Sequence, residues 1–180
     1  MSLFLCSIRA RRVWGRILVV GLVLLLGCDQ AGPESSPSAS EDLFARYVAI
    51  GNSITAGFQS DGLRAELQQA SYAVSVAKQM GTRFNSPLLA RPGCPSPLVD
   101  PFTETRADGG TDDTCALRVQ PVPRVLHNVA VPGAATIDVL DNLDDDASAN
   151  VYTLLLLGGR TQIEAAAAAD PPFVSLWIGN

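Results

Sequence analysis

Residues Tyr47 to Gly57 read YVAIGNSITAG, and the fold of this chain turns on them. Tyr47-Val48-Ala49-Ile50 is a short apolar run rich in strand-forming residues, cut off by Gly51. Asn52 and Ser53 follow at once, so a buried strand delivers a hydroxyl to the point where a sheet ends and a loop or helix begins. Open α/β sheets bind ligands at the carboxyl ends of their strands, which makes Ser53 a candidate for chemistry on position alone. Asn and Ser are also favoured in turns and at helix N-caps, so a purely structural role accounts for the same residues.

Working outward, Leu63, Leu67, Ala70, Ala73 or Val74, Ala77 and Met80 recur at helical spacing, and Gly81 is placed to cap the helix. Residues 85–123 are rich in Pro and Gly and show no periodicity; so long an excursion is usually a functional insertion or a lid. Leu126 to Val131 (LHNVAV) predicts a second strand, ending at Pro132-Gly133. Ala134 to Leu143 reads as a short helix with Ile137, Leu140 and Leu143 on one side. Val151 to Leu157 suits helix or strand, and its leucines favour helix. Thr161 to Ala169 has high helix propensity, and Asp170-Pro171-Pro172 stops it. Phe173 to Ile178 (FVSLWI) then predicts a third buried strand before Gly179-Asn180. Strands alternating with helices, each strand closed by Gly, indicate an α/β fold with a parallel sheet.

The start of the chain reads differently. Arg9, Arg11, Arg12 and Arg16 precede the apolar run Ile17 to Leu26, and no acidic residue occurs before Asp29. That run is short for a membrane span and has the layout of an export signal. Leu25-Leu26-Gly27-Cys28 resembles the lipobox of bacterial lipoproteins, which implies lipidation at Cys28 and a place in the bacterial cell envelope, on the periplasmic or extracellular face. Ala31 to Ser40 (AGPESSPSAS) is too poor in apolar residues to repay its ordering entropy and reads as a tether. The expected organisation is therefore a signal peptide over 1–27, a lipidated cysteine and flexible tether over 28–42, and a domain over 43–180. The lipid anchor would hold that domain at a membrane.

The formal net charge of −5 over 180 residues becomes more acidic once the signal arginines are removed. No basic run with interleaved aromatics is present, which argues against a nucleic-acid partner. Asp144-Asp145-Asp146 reads as a solvated loop, since a calcium loop needs ligands at alternating positions and a Gly for the turn. Outside the signal and lipobox only Cys94 and Cys115 remain. In an oxidising compartment two cysteines most simply pair, gaining about 3 kcal/mol for a loop of this length; two buried free thiols are the alternative.

The strand ends carry a further pattern. GNSITAG (Gly51–Gly57) and NVAVPGAAT (Asn128–Thr136) resemble, in order, the first two blocks of the SGNH or GDSL-type hydrolase superfamily. The resemblance runs from about Tyr47 to Asn180. It implies a three-layer α/β/α flavodoxin-like sandwich with a parallel sheet, here apparently truncated after the third strand. It also implies a serine ester hydrolase, with Ser53 as nucleophile and the Gly133 N–H as oxyanion donor, acting on a small ester or lipid without metal or organic cofactor. Asn52 stands where many members carry Asp. Gly179 aligns with the glycine of the third block and leaves Asn180 at its variable position; the alternative alignment makes Asn180 the oxyanion amide. The family's Asp-His block has no counterpart, and His127, the single histidine, is read as a structural residue at a strand start. A serine without its base is a poor nucleophile, so the 180 residues as they stand are expected to be inactive. The rival reading is a membrane-tethered binding lipoprotein in which the Ser53 loop holds a ligand without cleaving it.

Overall fold

A computed structural model describes residues 39–141 and 151–179. In chain order they form α1 (Ala39–Phe44), β1 (Tyr47–Gly51), α2 (Ser53–Ala56), α3 (Ala65–Gln69) and α4 (Tyr72–Met80). A hairpin of β2 (Leu98–Asp100) and β3 (Thr105–Arg106) follows, then α5 (Gln162–Ala167) and β4 (Phe173–Trp177). Single turns of 3-10 helix lie at Ala107–Gly109 and Ile137–Val139, and Thr153–Leu157 winds as a π-helix. The class is mixed α/β with a small parallel sheet.

β1 is the centre. All five of its residues are buried. Its side chains alternate between two cores, as strand geometry requires. Val48 and Ile50 join the larger cluster with Leu63, Leu126, Val129, Val131, Leu156 and Leu157. Tyr47 and Ala49 join a smaller one with Ala73 and Ala77 of α4. Burying Val48, Ile50 and Tyr47 contributes about 1.5–3 kcal/mol each, which is why a five-residue strand can organise the domain.

β4 pairs with β1 in parallel, in register from Tyr47 opposite Phe173 to Gly51 opposite Trp177. The predicted strand over 126–131 runs along the other side of β1. Ala49 N–H donates to the His127 carbonyl (2.8 Å), Val129 N–H to Ala49 (3.0 Å) and Val131 N–H to Gly51 (3.0 Å). It is extended and parallel but forms only an isolated bridge, because Gly51 N–H donates to Gln162 Oε1 (2.9 Å) where the ladder would use Val129.

Three expectations need correction. The stripe from Leu63 to Met80 is not one helix: the chain breaks at Ala70-Ser71, with Ser71 extended. Gln68 explains the break, since its buried amide bonds the Pro87 carbonyl (3.0 Å) and Leu89 N–H (2.7 Å) and holds α3 to the excursion. The helix expected over Ala134 to Leu143 is a single 3-10 turn as far as Asp141; Leu143 and the Asp144-Asp145-Asp146 run lie outside the described residues. The third strand is not fully buried. Val174, Leu176 and Trp177 are exposed, because among the described residues no strand pairs the outer edge of β4.

The excursion is held both from within and by the residues before it. Cys94 and Cys115 form a disulfide. Arg106, largely buried, pairs with Asp61 and Asp112 and also donates to the Asp61 carbonyl (2.8 Å). Such a buried cation is tolerated because carboxylates and carbonyls surround it. Among the described residues no helix is long and apolar enough to cross a membrane. The signal over 1–27 lies outside them, as does most of the 28–42 segment, whose last residues open α1.

Candidate functional site

The candidate site is the carboxyl rim of the sheet. Three chain segments reach it at one level, because the register aligns them. Gly51 accepts from Val131, and Asn52 N–H donates to the Trp177 carbonyl (3.2 Å). Ser53 and Gly133 each stand two residues beyond the Gly51–Val131 bond, and Gly179 two residues beyond Trp177. Neighbouring strands are about 4.8 Å apart, so the turns carrying Ser53 and Gly133 start from adjacent strand ends.

Each turn has a local cause. Asn52 is the N-cap of α2, its side chain accepting from Ile54 N–H (3.3 Å), and the structural reading of that residue holds. Ser53 is the first residue of the helix and half-buried. Val131-Pro132-Gly133-Ala134 is a type II turn: Ala134 N–H donates to Val131 (3.2 Å), and Gly133 has φ +80°, the left-handed value that turn demands at its third position. The amide N–H groups of Ser53 and Gly133 form no hydrogen bond among the described residues. They are donors without acceptors at the rim.

Side chains the motifs do not mark lock this arrangement. Asn128, buried, donates to the Thr55 carbonyl (2.9 Å) and accepts from Ala130 N–H (3.2 Å), tying α2 to the neighbouring strand. Thr55 shares a hydrogen bond with the Tyr72 hydroxyl (3.0 Å), which binds α2 to α4. Gln162 reaches Gly51 from the first turn of α5. A polar residue inside the apolar run NVAV was a readable signal for Asn128. Gln162, in an alanine-rich helix, offered none. Gly51 itself is required by contact, because a Cβ there would collide with the Thr55 side chain and lie 2.6 Å from the Trp177 carbonyl.

His127 is not at the rim. It sits beside Ala49, four residues before Val131, which at about 3.3 Å per residue places it roughly 13 Å below the paired end of its strand. Its Nδ1 accepts from Asn85 N–H (3.1 Å), the structural partner expected of it, so its neutral form carries the proton on Nε2. Burial, and secondly the Arg83 charge, lower its pKa. Asn180 and Cys28 lie outside the described residues. Among those residues no group of three His, Cys, Asp or Glu is placed to hold a metal ion.

No family model, curated protein or solved structure matches this chain.

Proposed function

We propose that this chain is a serine ester hydrolase of the SGNH type, with Ser53 as the nucleophile. One observation carries the reading: the strand register sets Ser53 and Gly133 the same two residues past the Gly51–Val131 hydrogen bond. The strand order, 126–131 beside β1 beside β4, is compatible with the first three positions of a flavodoxin-like three-layer sandwich. In the proposed reaction Ser53 Oγ attacks the acyl carbon, and the oxyanion takes hydrogen bonds from the Ser53 and Gly133 N–H groups. Asn180 is the proposed third donor. The ester C–O bond breaks, the serine proton passes through a base to the departing alkoxide, and water releases the acyl group from serine. The substrate class is a small or lipid ester, met at a bacterial envelope to which a lipidated Cys28 tethers the domain.

Among the described residues no imidazole or carboxylate is bonded to Ser53. Imidazole in solution can therefore stand in for the base. With a nitrophenyl acetate ester, we expect an acetyl group on Ser53, detected by peptide mass spectrometry, at a rate rising with added imidazole. Ser53→Ala should abolish it. Wild-type protein that stays unacylated at Ser53 under these conditions overturns the proposal. The position of His127 far from the rim favours the second reading, a tethered binding protein, and saturable ester binding without acylation is its signature.

A further inference from the structure

The opposite end of the sheet carries a second feature, independent of what Ser53 does. A cleft of about 540 Å³ opens there, lined by Arg46, Arg83, Arg124, Asn85, Thr82 and His127, among others. These residues come from four separate stretches. Arg46 directly precedes β1, and Thr82 and Arg83 follow α4. Arg124 precedes the extended 126–131 segment. The turn after α5 closes the group, where Asp170 bonds Arg46 through its carbonyl (2.7 Å) and its carboxylate (3.2 Å).

Charge and donor directions agree. Arg83 and Arg124 have no carboxylate partner among the described residues, and Asp170 is the single carboxylate paired within the group. Three guanidiniums thus share one cleft in a protein whose net charge is −5. His127 adds a neutral donor: with Nδ1 occupied by the Asn85 N–H, its Nε2–H has no partner among the described residues. Asn85 and Thr82 cannot wander, since their side chains are bonded to the Val125 carbonyl (3.0 Å) and the Ala45 carbonyl (2.9 Å). The volume lies within the roughly 300–1,000 Å³ typical of small-molecule sites.

The geometry points to this cleft as a binding site for a phosphate-bearing anion, gripped by Arg46, Arg83 and Arg124 with His127 Nε2–H as a fourth donor. Planar guanidinium forks match phosphate oxygens in pairs; Arg83 and Arg124 offer two such forks to a dianion, and Arg46, whose Nε and one Nη are bonded to Asp170, adds its remaining N–H groups. The anion could reach the cleft free in solution or as a lipid headgroup. The chain enters the domain through α1 at this same pole, which makes the second source worth a separate arm.

His127 is the single histidine of the chain, so one imidazole resonance reports on the cleft. The full chain, kept in a non-ionic detergent, is titrated by NMR at fixed ionic strength in chloride, inorganic phosphate or dihexanoyl phosphatidic acid. An anion seated beside the ring favours its protonated form, so His127 should titrate at higher pH than in chloride. A shift with inorganic phosphate identifies a free-phosphate site, and one confined to phosphatidic acid identifies a headgroup site. Arg83→Gln and Arg124→Gln, both at exposed positions, should each weaken the anion's affinity about tenfold or more, the loss of one charge-assisted hydrogen bond. Should one variant misfold, the other serves. No shift beyond chloride with either probe, or unchanged affinity in the folded variants, overturns the site.

Discussion

The two ends of the sheet are built on opposite principles. At the carboxyl rim the chemistry is backbone and one hydroxyl: Ser53 at the start of α2, with the N–H groups of Ser53 and Gly133, unbonded among the described residues. At the amino end it is side chain: three arginines and His127 around a cleft. The rim is specified by short contiguous stretches, because a strand end, a cap and a type II turn are each local. The arginine end is assembled from residues far apart in sequence. The one imidazole is thus held a strand's length from the one rim serine.

The largest effect that would break this comparison is at Gly51. Gly51→Ala forces a Cβ against Thr55 and the Trp177 carbonyl and should cost about 2–3 kcal/mol, read as a lower urea midpoint. The rim should fail with it, since Gly51 anchors both neighbouring segments; an unchanged midpoint would show that the register is not what holds Ser53.

Gly133→Ala sharpens the rim side. A Cβ there meets open space, so the cost is the left-handed backbone alone, about 1–2 kcal/mol. Imidazole-driven acylation of Ser53 should fall further, roughly 100-fold, because the Gly133 N–H is re-aimed. A rate loss no larger than the stability loss would remove Gly133 from the oxyanion role.

The smallest effect lies at the other end. His127→Gln should cost about 1 kcal/mol and leave the acylation rate of Ser53 unaltered. Burial and then Arg83 hold the His127 pKa below its ordinary 6.5, so the unfolded chain takes up the proton first as pH falls. Its contribution to stability is complete above about 6.5 and is lost as pH falls through the lower folded value. Urea midpoints between pH 7.5 and 5 should therefore decline in the wild type and flatten in His127→Gln. Equal slopes would mean that His127 titrates without strain.

By itself the sequence determined the mixed α/β class, β1 and β4 with the glycines that end or follow them, the helix α5 with its proline stop, and Cys94 and Cys115 as the two cysteines that could pair. Each rests on signals within a few residues of one another or, for the cysteines, on a count that leaves one partner. The same locality made Ser53 and Gly133 legible as candidates before their register was known. Tertiary structure alone decided the rest. It broke the Leu63–Met80 stripe in two, because Gln68 found partners in a distant loop. It put Gln162 into a rung of the β1 ladder, and it left Val174, Leu176 and Trp177 of β4 exposed. It also made a basic cleft from Arg46, Arg83 and Arg124 in a chain with no basic run after its first 28 residues. Contacts between residues far apart in sequence leave no periodic trace in it, and only the packed fold brings them together.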